Sequence, residues 1–270
     1  MYKLKLGVSV GLIYENTLNI NFEHQIKKLK SLGFDSVDLN LFGSNKPAVY
    51  EQVFNALPDL VKIIKDNGLY LNGVHLPFGA ILDISSPDEE LAKRSLDFAV
   101  KVVKEVDKYK PYCYIIHGSG DGVPNDLRQS MLDRLINALN HLASQTSCTL
   151  CVENLPRVCL LNTIAEIKGA LAKMPKVKLC LDANHLLAEK TEDAITKLGD
   201  VIKTTHISDH DYINERHWLP TQGKIDWQKV IGALEKIGYD GVFNYELCPQ
   251  YDYEQIKQNF DQLFSNYNKQ

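Results

Sequence analysis

Eight short runs rich in β-branched and aromatic residues alternate along this chain with eight longer amphipathic stretches, and that alternation leaves few folds open. The strand-like runs fall at residues 4–10, 36–41, 69–76, 112–117, 150–153, 177–182, 202–206 and 241–247. Helical spacing occupies residues 22–31, 50–67, 88–108, 125–144, 162–172, 191–198, 227–237 and 253–266. Strands joined by helical crossovers pair in parallel, and eight such units close a ring. The length of 270 residues suits the roughly 250 of a (β/α)8 barrel, so a single α/β domain over residues 1–270 is expected.

The punctuation agrees. Ser86-Pro87-Asp88-Glu89-Glu90 reads as a helix start, with a cap residue, a proline in the first turn and early acids. Leu32-Gly33-Phe34-Asp35-Ser36-Val37 and Ile237-Gly238-Tyr239-Asp240-Gly241-Val242 are the same phrase near opposite ends of the chain. In each, a glycine stops a helix, an aromatic packs under the barrel and a strand begins. No linker or low-complexity tract interrupts the pattern.

Composition narrows the class. A chain 44% hydrophobic and 24% charged is ordinary for a soluble globular protein. The net charge of −4 offers no global attraction to nucleic acid or to an anionic membrane, and neither is expected as a partner. The first ten residues lack a signal-peptide core, and no apolar run approaches the ~18 residues of a membrane span, so a cytoplasmic location is expected. Cys113, Cys148, Cys151, Cys159, Cys180 and Cys248 are read as reduced thiols, most of them buried. Cys148 and Cys151 have C-x-x-C spacing, but residues three apart on a strand face opposite ways.

On such a barrel the strand C-termini open onto one mouth, where barrel enzymes keep their chemistry. The polar residues at those ends are His75, His117, Glu153, Asp182, His206 and Glu246, from the third to the eighth strand. His185 follows Asp182 by three residues, and Glu215 and His217 lie in the loop after the seventh strand. A lone histidine at a strand end is ordinarily a hydrogen-bonded structural residue. Several carboxylates converging in one mouth are another matter, because they repel unless a cation or protons neutralise them. Glu153, Asp182, His206 and Glu246 are therefore read as a ligand set for one divalent ion: Mn²⁺, Mg²⁺, Co²⁺ or Zn²⁺. Elsewhere, His24 and His141 read as surface or packing residues, His210 and Asp211 as solvated loop polars, and Trp218 and Trp227 as structural. The glycine-rich segment Gly118-Ser119-Gly120-Asp121-Gly122 lacks a Walker lysine and the dinucleotide spacing, and reads as a flexible active-site loop.

Glu153-Asn154, Leu181-Asp182-Ala183-Asn184-His185, His206-Ile207-Ser208-Asp209, the stretch from Glu215 to Trp227, and Glu246 together resemble the xylose isomerase-like TIM-barrel superfamily. The resemblance spans essentially the whole chain and touches two branches. In the sugar isomerase and epimerase branch, the four-residue set holds one divalent metal. There Glu153 and Glu246 would also act as acid and base across a metal-stabilised cis-enediolate. His185 and Arg216 would hold substrate oxygens, with His75, His117 and His217 also in contact with substrate. The implied substrate is a ketose or sugar phosphate, and a homodimer or homotetramer is the implied assembly. The endonuclease IV-like branch would instead hold two to three Zn²⁺ with His75, His117, His185, Glu215 and His217 as further ligands, and cleave abasic DNA. That branch has Asp where this chain has Glu215, and it needs basic loops over the mouth. Residues 41–46 and 117–125 offer one lysine and no arginine, so the sugar enzyme is the leading expectation.

Overall fold

The computed structural model describes residues 1–15, 17–42, 44, 46–79 and 82–269. The expected ring is there and it is closed. Its strands are β1 (Lys5–Gly11), β2 (Ser36–Asn40), β3 (Tyr70–His75), β4 (Cys113–His117), β5 (Thr149–Glu153), β6 (Val177–Asp182), β7 (Ile202–Ile207) and β8 (Val242–Tyr245). Each pairs in parallel with the next, and β8 returns to β1. The helices are α1 (Phe22–Ser31), α2 (Pro47–Asp66), α3 (Glu89–Val106), α4 (Arg128–Ala143), α5 (Ile164–Leu171), α6 (Thr191–Leu198), α7 (Trp227–Lys236) and α8 (Tyr253–Tyr267). A small antiparallel pair, Ile13–Tyr14 with Thr17–Leu18, follows β1 and was not expected from the pattern.

Local chemistry explains the boundaries. Helix α3 buries Ala92, Ser95, Ala99, Val102, Val103 and Val106, a three-and-four spacing that lays one face on the barrel. Its start is capped by Asp88, whose carboxylate accepts from the backbone N–H of Glu90 and Leu91. Pro87 therefore precedes the cap rather than entering the first turn, because the Asp88 carboxylate captures the free donors. Helix α8 begins with a reciprocal capping box between Asp252 and Gln255. Both copies of the repeated phrase behave as read: Gly33 and Gly238 adopt φ of +84° and +69°, and the aromatics behind them, Phe34 and Tyr239, are buried.

Inside the ring, side chains alternate with those packed against the helices. Strand β2 sends Asp38 and Asn40 inward, while Val37 and Leu39 join the main hydrophobic core. The parallel ladder slips twice. Val37 sits opposite Leu71 but Asp38 opposite Gly73, and Leu179 sits opposite Ile202 but Cys180 opposite Thr204. Each slip leaves one extra residue and re-aims its neighbours. A smaller group, Cys113, Ile115, Cys151 and Cys180, packs separately, and all six cysteines are free. Among the described residues, no helix is long and apolar enough to cross a membrane.

The interior leaves no room for a methyl group at Gly7. A Cβ there would lie 2.5 Å from Val242 Cγ1, 2.7 Å from Asn244 Oδ1 and 2.8 Å from Ser36 Oγ, where β8 and β2 flank β1. Gly7→Ala should cost about 1–3 kcal/mol by overpacking. A urea unfolding midpoint shifted down at unchanged slope would show it, and an unchanged midpoint would mean the barrel relaxes there freely.

Candidate active site

Glu153 and Asp182 end their strands, His206 is one residue inside the end of β7, and Glu246 follows β8 directly. The ladder sets them level: His117 is opposite Glu153, and Asp182 is opposite His206. The ring converges these side chains on one nitrogen. His206 Nδ1 lies 3.0 Å from Glu153 Oε1, 2.9 Å from Glu246 Oε2 and 4.0 Å from Asp182 Oδ2. One ligand atom from each of the four residues falls within 4.8 Å of the others.

The three carboxylates are held from behind. Asn154 and Asp182 are locked by a reciprocal pair: Asn154 Nδ2 donates to the Asp182 carbonyl at 2.9 Å, and the Asp182 N–H donates to Asn154 Oδ1 at 2.8 Å. Asp182 Oδ1 accepts from the Asn184 N–H at 2.6 Å. Glu153 Oε2 is met by His75 Nε2 at 3.0 Å and His117 Nε2 at 3.3 Å. Asn40 Nδ2 donates to Glu246 Oε1 at 3.2 Å.

The electrostatics are unbalanced. Burial pushes Glu153 up, but the imidazoles of His206, His117 and His75 outweigh it and hold the carboxyl well below the usual range. Glu246 is likewise raised by burial and lowered more by His206, down to about 2. Asp182 goes the other way: burial, and then the charge of Glu153, push it well above the ordinary carboxylate range. Burial disfavours a charged His206, yet Cys180, Glu246 and Glu153 raise it well above a free imidazole. Three carboxylates share too little positive charge, and the cost falls on Asp182, whose carboxyl is the one pushed upward. Its Oδ2 is buried with no hydrogen-bond partner among the described residues. An orphaned buried carboxylate oxygen beside two further carboxylates and an imidazole is the donor set of a hard or borderline divalent cation.

Two flanking groups share the same features. His75, His117 and Glu153 form one cluster of ligand-capable atoms, and His185, Glu215 and His217 form another. His75 and His185 each give Nδ1–H to a backbone carbonyl at 2.8 Å, of Leu76 and Asn154 respectively. That leaves Nε2 facing a carboxylate, Glu153 Oε2 for His75 and Glu215 Oε2, at 3.5 Å, for His185. Phe78 stacks on His117 with centroids 3.9 Å apart, and Phe42 meets His75 edge-on, so one wall of the mouth is aromatic.

The arginines are occupied. Arg216 pairs with Asp211 at 2.8 Å and lies over the Trp218 ring. Arg157, which the sequence reading did not single out, bridges Glu215 at 2.6 Å and Asp121 at 3.0 Å, tying the loops after β4, β5 and β7. The glycine-rich loop is anchored too. Gly120 N–H donates to Asp83, and Ser119 accepts from the Leu160 N–H.

His210 is not a solvated loop residue: it is buried, with Nδ1 accepting from the Tyr212 N–H. The reason is its neighbour. Asp209 is buried and accepts four donors, from His210 N, Ile225 N, Thr221 N and Trp227 Nε1, so the long loop folds back over it. A Cβ at Gly223 would lie 2.3 Å from Asp209 Oδ1, which accounts for the glycine and tryptophan of the phrase Gly223-Lys224-Ile225-Asp226-Trp227. Trp227 is structural, as expected. Of the loop at residues 41–46, Gly43 and Asn45 lie outside the described residues.

Residues 26–264 match the model of the xylose isomerase-like TIM barrel family. The chain belongs to that family. Members similar to it include the fructoselysine 3-epimerase of Shigella flexneri, 24% identical over 253 residues that cover 85% of this chain and 86% of that one. The D-psicose 3-epimerase of Ruminiclostridium cellulolyticum is 25% identical over 247 residues, covering 84% and 78%. Both are of the isomerase class expected from the sequence. A solved structure of a 3-keto-D-glucoside 4-epimerase from E. coli superposes with a TM-score of 0.77 at 16% identity, over 97% of this chain and 100% of that one.

A cation that relieves the carboxylate repulsion binds the folded chain and not the unfolded one. Mn²⁺ at a hundred times its Kd should raise Tm by roughly 5–10 °C, and excess chelator should reverse the gain. A Tm indifferent to Mn²⁺, Co²⁺, Zn²⁺ and Mg²⁺ would remove the metal reading.

Proposed function

We propose that this protein is a divalent-metal-dependent ketose 3-epimerase or isomerase. The observation that carries the reading is the convergence of Glu153, Asp182 and Glu246 on the Nδ1 of His206. These four residues would hold the ion, which would supply Lewis-acid stabilisation for the negative charge developing on neighbouring ketose oxygens. Mn²⁺, Mg²⁺, Co²⁺ and Zn²⁺ all suit the set.

The two glutamates differ in a way that divides the proton transfer. Glu153 is sealed in, whereas the Glu246 side chain keeps 15% of its surface open. Glu246 therefore takes the proton from the carbon beside the carbonyl, with Asn40 steering its other oxygen. Glu153 is surrounded by His75, His117 and His206, which can replenish a proton on its carboxylate. It returns one to the opposite face of that carbon, which inverts the centre. His185 and His217 supply contacts for substrate hydroxyls, and Phe42 and Phe78 give an apolar wall for the carbon face of a sugar. Arg216 would contribute only on release from Asp211. Because Arg157 and Arg216 are both paired with carboxylates, an uncharged ketose fits better than a phosphorylated one.

A second reading is favoured by the flanking clusters. His75 and His117 with Glu153, and His185 and His217 with Glu215, could hold one further Zn²⁺ each, giving a three-zinc phosphodiesterase. The pairing of the mouth arginines weighs against a polyanionic substrate there. Metal analysis separates the two: one ion per chain for the sugar enzyme, three for the phosphodiesterase.

The direct test is a panel of ketoses in deuterated water with Mn²⁺, scored for deuterium on the carbon beside the carbonyl. Uptake with at least one ketose is expected. Glu246→Gln should then lower turnover by about 10²–10⁴-fold with little change in the unfolding midpoint. Absence of exchange with every ketose, or full activity in Glu246→Gln, would sink the assignment.

A further inference from the structure

The histidines around the mouth are not all held alike. His75, His185 and His217 each give Nδ1–H to a backbone carbonyl, of Leu76 at 2.8 Å, Asn154 at 2.8 Å and Glu246 at 3.2 Å. His206 is reversed. Its Nδ1 faces the three carboxylates, and its Nε2 faces Asp38 Oδ2 at 3.5 Å from the far side of the barrel. Both residues are completely buried. Neither the nitrogen nor the oxygen has a hydrogen-bond partner among the described residues, and each is the other's ion-pair neighbour. A lone pair on each, facing across a dry gap, would be repulsive, so a proton belongs between them.

The fold is arranged to keep Asp38 in that place. Its Oδ1 accepts from Asn72 Nδ2 and from the Gly73 N–H, both at 2.7 Å. Asn72 is steadied in turn by Thr204 of β7, at 3.2 Å. The slip in the β2–β3 ladder falls between Val37 and Asp38, and it brings Gly73 rather than Asn72 opposite the carboxylate. Any side chain at Gly73 would intrude, because a Cβ there would lie 2.5 Å from Asp38 Oδ2. A charged residue fully buried in an otherwise well-packed strand is costly unless it has this kind of support.

We propose that Asp38 is a positioning residue for His206. It accepts the Nε2 proton, fixes the tautomer whose lone pair is on Nδ1, and so turns that nitrogen toward the ligand carboxylates. The inference rests on the metal centre described under Proposed function. A carboxylate behind a ligating imidazole orients the ring and makes its other nitrogen a better donor to a cation. Asp38→Asn is informative because the site dictates which way the amide turns. The donors of Asn72 and Gly73 claim its oxygen, so its NH₂ faces His206 Nε2. The imidazole must then carry its proton on Nδ1, on the side where the ligand lone pair is needed. Swapping such a carboxylate for its amide produces the wrong tautomer in the same way in a serine protease triad.

The experiment strips the purified protein of metal and measures Zn²⁺ affinity by competition with a chromophoric chelator, in the native chain, Asp38→Asn and Thr204→Val. The ¹⁵N resonances of His206 are read in the Zn²⁺-loaded native protein. Affinity should fall by about 10–100-fold in Asp38→Asn. Thr204→Val, which loosens Asn72 and only through it Asp38, should lower the unfolding midpoint and reduce the affinity far less than Asp38→Asn does. The His206 spectrum should show an Nε2 proton shifted well downfield, as a hydrogen bond to a buried carboxylate requires. Equal Zn²⁺ affinity in Asp38→Asn and the native chain, or a native Nε2 proton at the position of an unbonded imidazole N–H, overturns the proposal and leaves the metal centre standing. Native protein that takes up no Zn²⁺ overturns the metal centre, and this inference with it. The native spectrum decides the matter even where Asp38→Asn fails to fold.

Discussion

Uncompensated negative charge in a dry place is the constraint on which the mouth of this barrel depends. Glu153, Asp182 and Glu246 meet at one imidazole nitrogen, away from the water that would screen them. Nearly every polar residue nearby answers that problem. His75 and His117 face one oxygen of Glu153, Asn40 one oxygen of Glu246, and the Asn184 N–H one oxygen of Asp182. The remaining Asp182 oxygen has no hydrogen-bond partner among the described residues, and burial with the charge of Glu153 pushes that carboxyl up while its two neighbours are held down. The residues that hold the ligands also restrict how the ligands can move.

The loops contribute rigidity of a different kind. Asp209 gathers four donors from a long connection and folds it onto the barrel end, and a tight approach by Gly223 completes the knot. Arg157 draws that connection together with the loops after β4 and β5 through Glu215 and Asp121. Loops usually give a barrel its adaptability. Here the loops after β4, β5 and β7 are fastened by buried or bridging charge, so the entrance is shaped before a substrate arrives.

Most of the architecture was legible because strand and helix periodicities are strong signals when eight copies agree. Strands β6 and helices α1 and α6 have the expected bounds, and the others shift by one to three residues where caps or strand twist decide the end. The convergence of Glu153, Asp182, His206 and Glu246 was legible because acidic and imidazole residues stand at strand ends, where apolar residues would otherwise continue. Less visible was the interior. Ser36, Asp38 and Asn40 alternate with apolar residues in Ser36-Val37-Asp38-Leu39-Asn40, a polar face that the inward side of a barrel strand can hold. Read with that periodicity, Asp38 and Asn40 could have been found. Arg157 could not, since its partners Asp121 and Glu215 lie on separate loops. The burial of His210 was equally hidden, because it follows from a hydrogen-bond network spread over residues 209–227.

The ring is divided in a way that its symmetry conceals. All four converging residues come from β5 to β8 and the turn after them, while Asp38, Asn40, His75 and His117 come from β2 to β4. The later half of the chain thus carries the converging carboxylates and imidazole, and the earlier half supplies the groups that pair with them. Variation confined to the first four strands can tune how tightly and at what angle the centre is held while its chemical identity stays the same. Two ancestral or engineered half-barrels of different origin, once fused, would therefore inherit their reaction from one parent and their setting from the other.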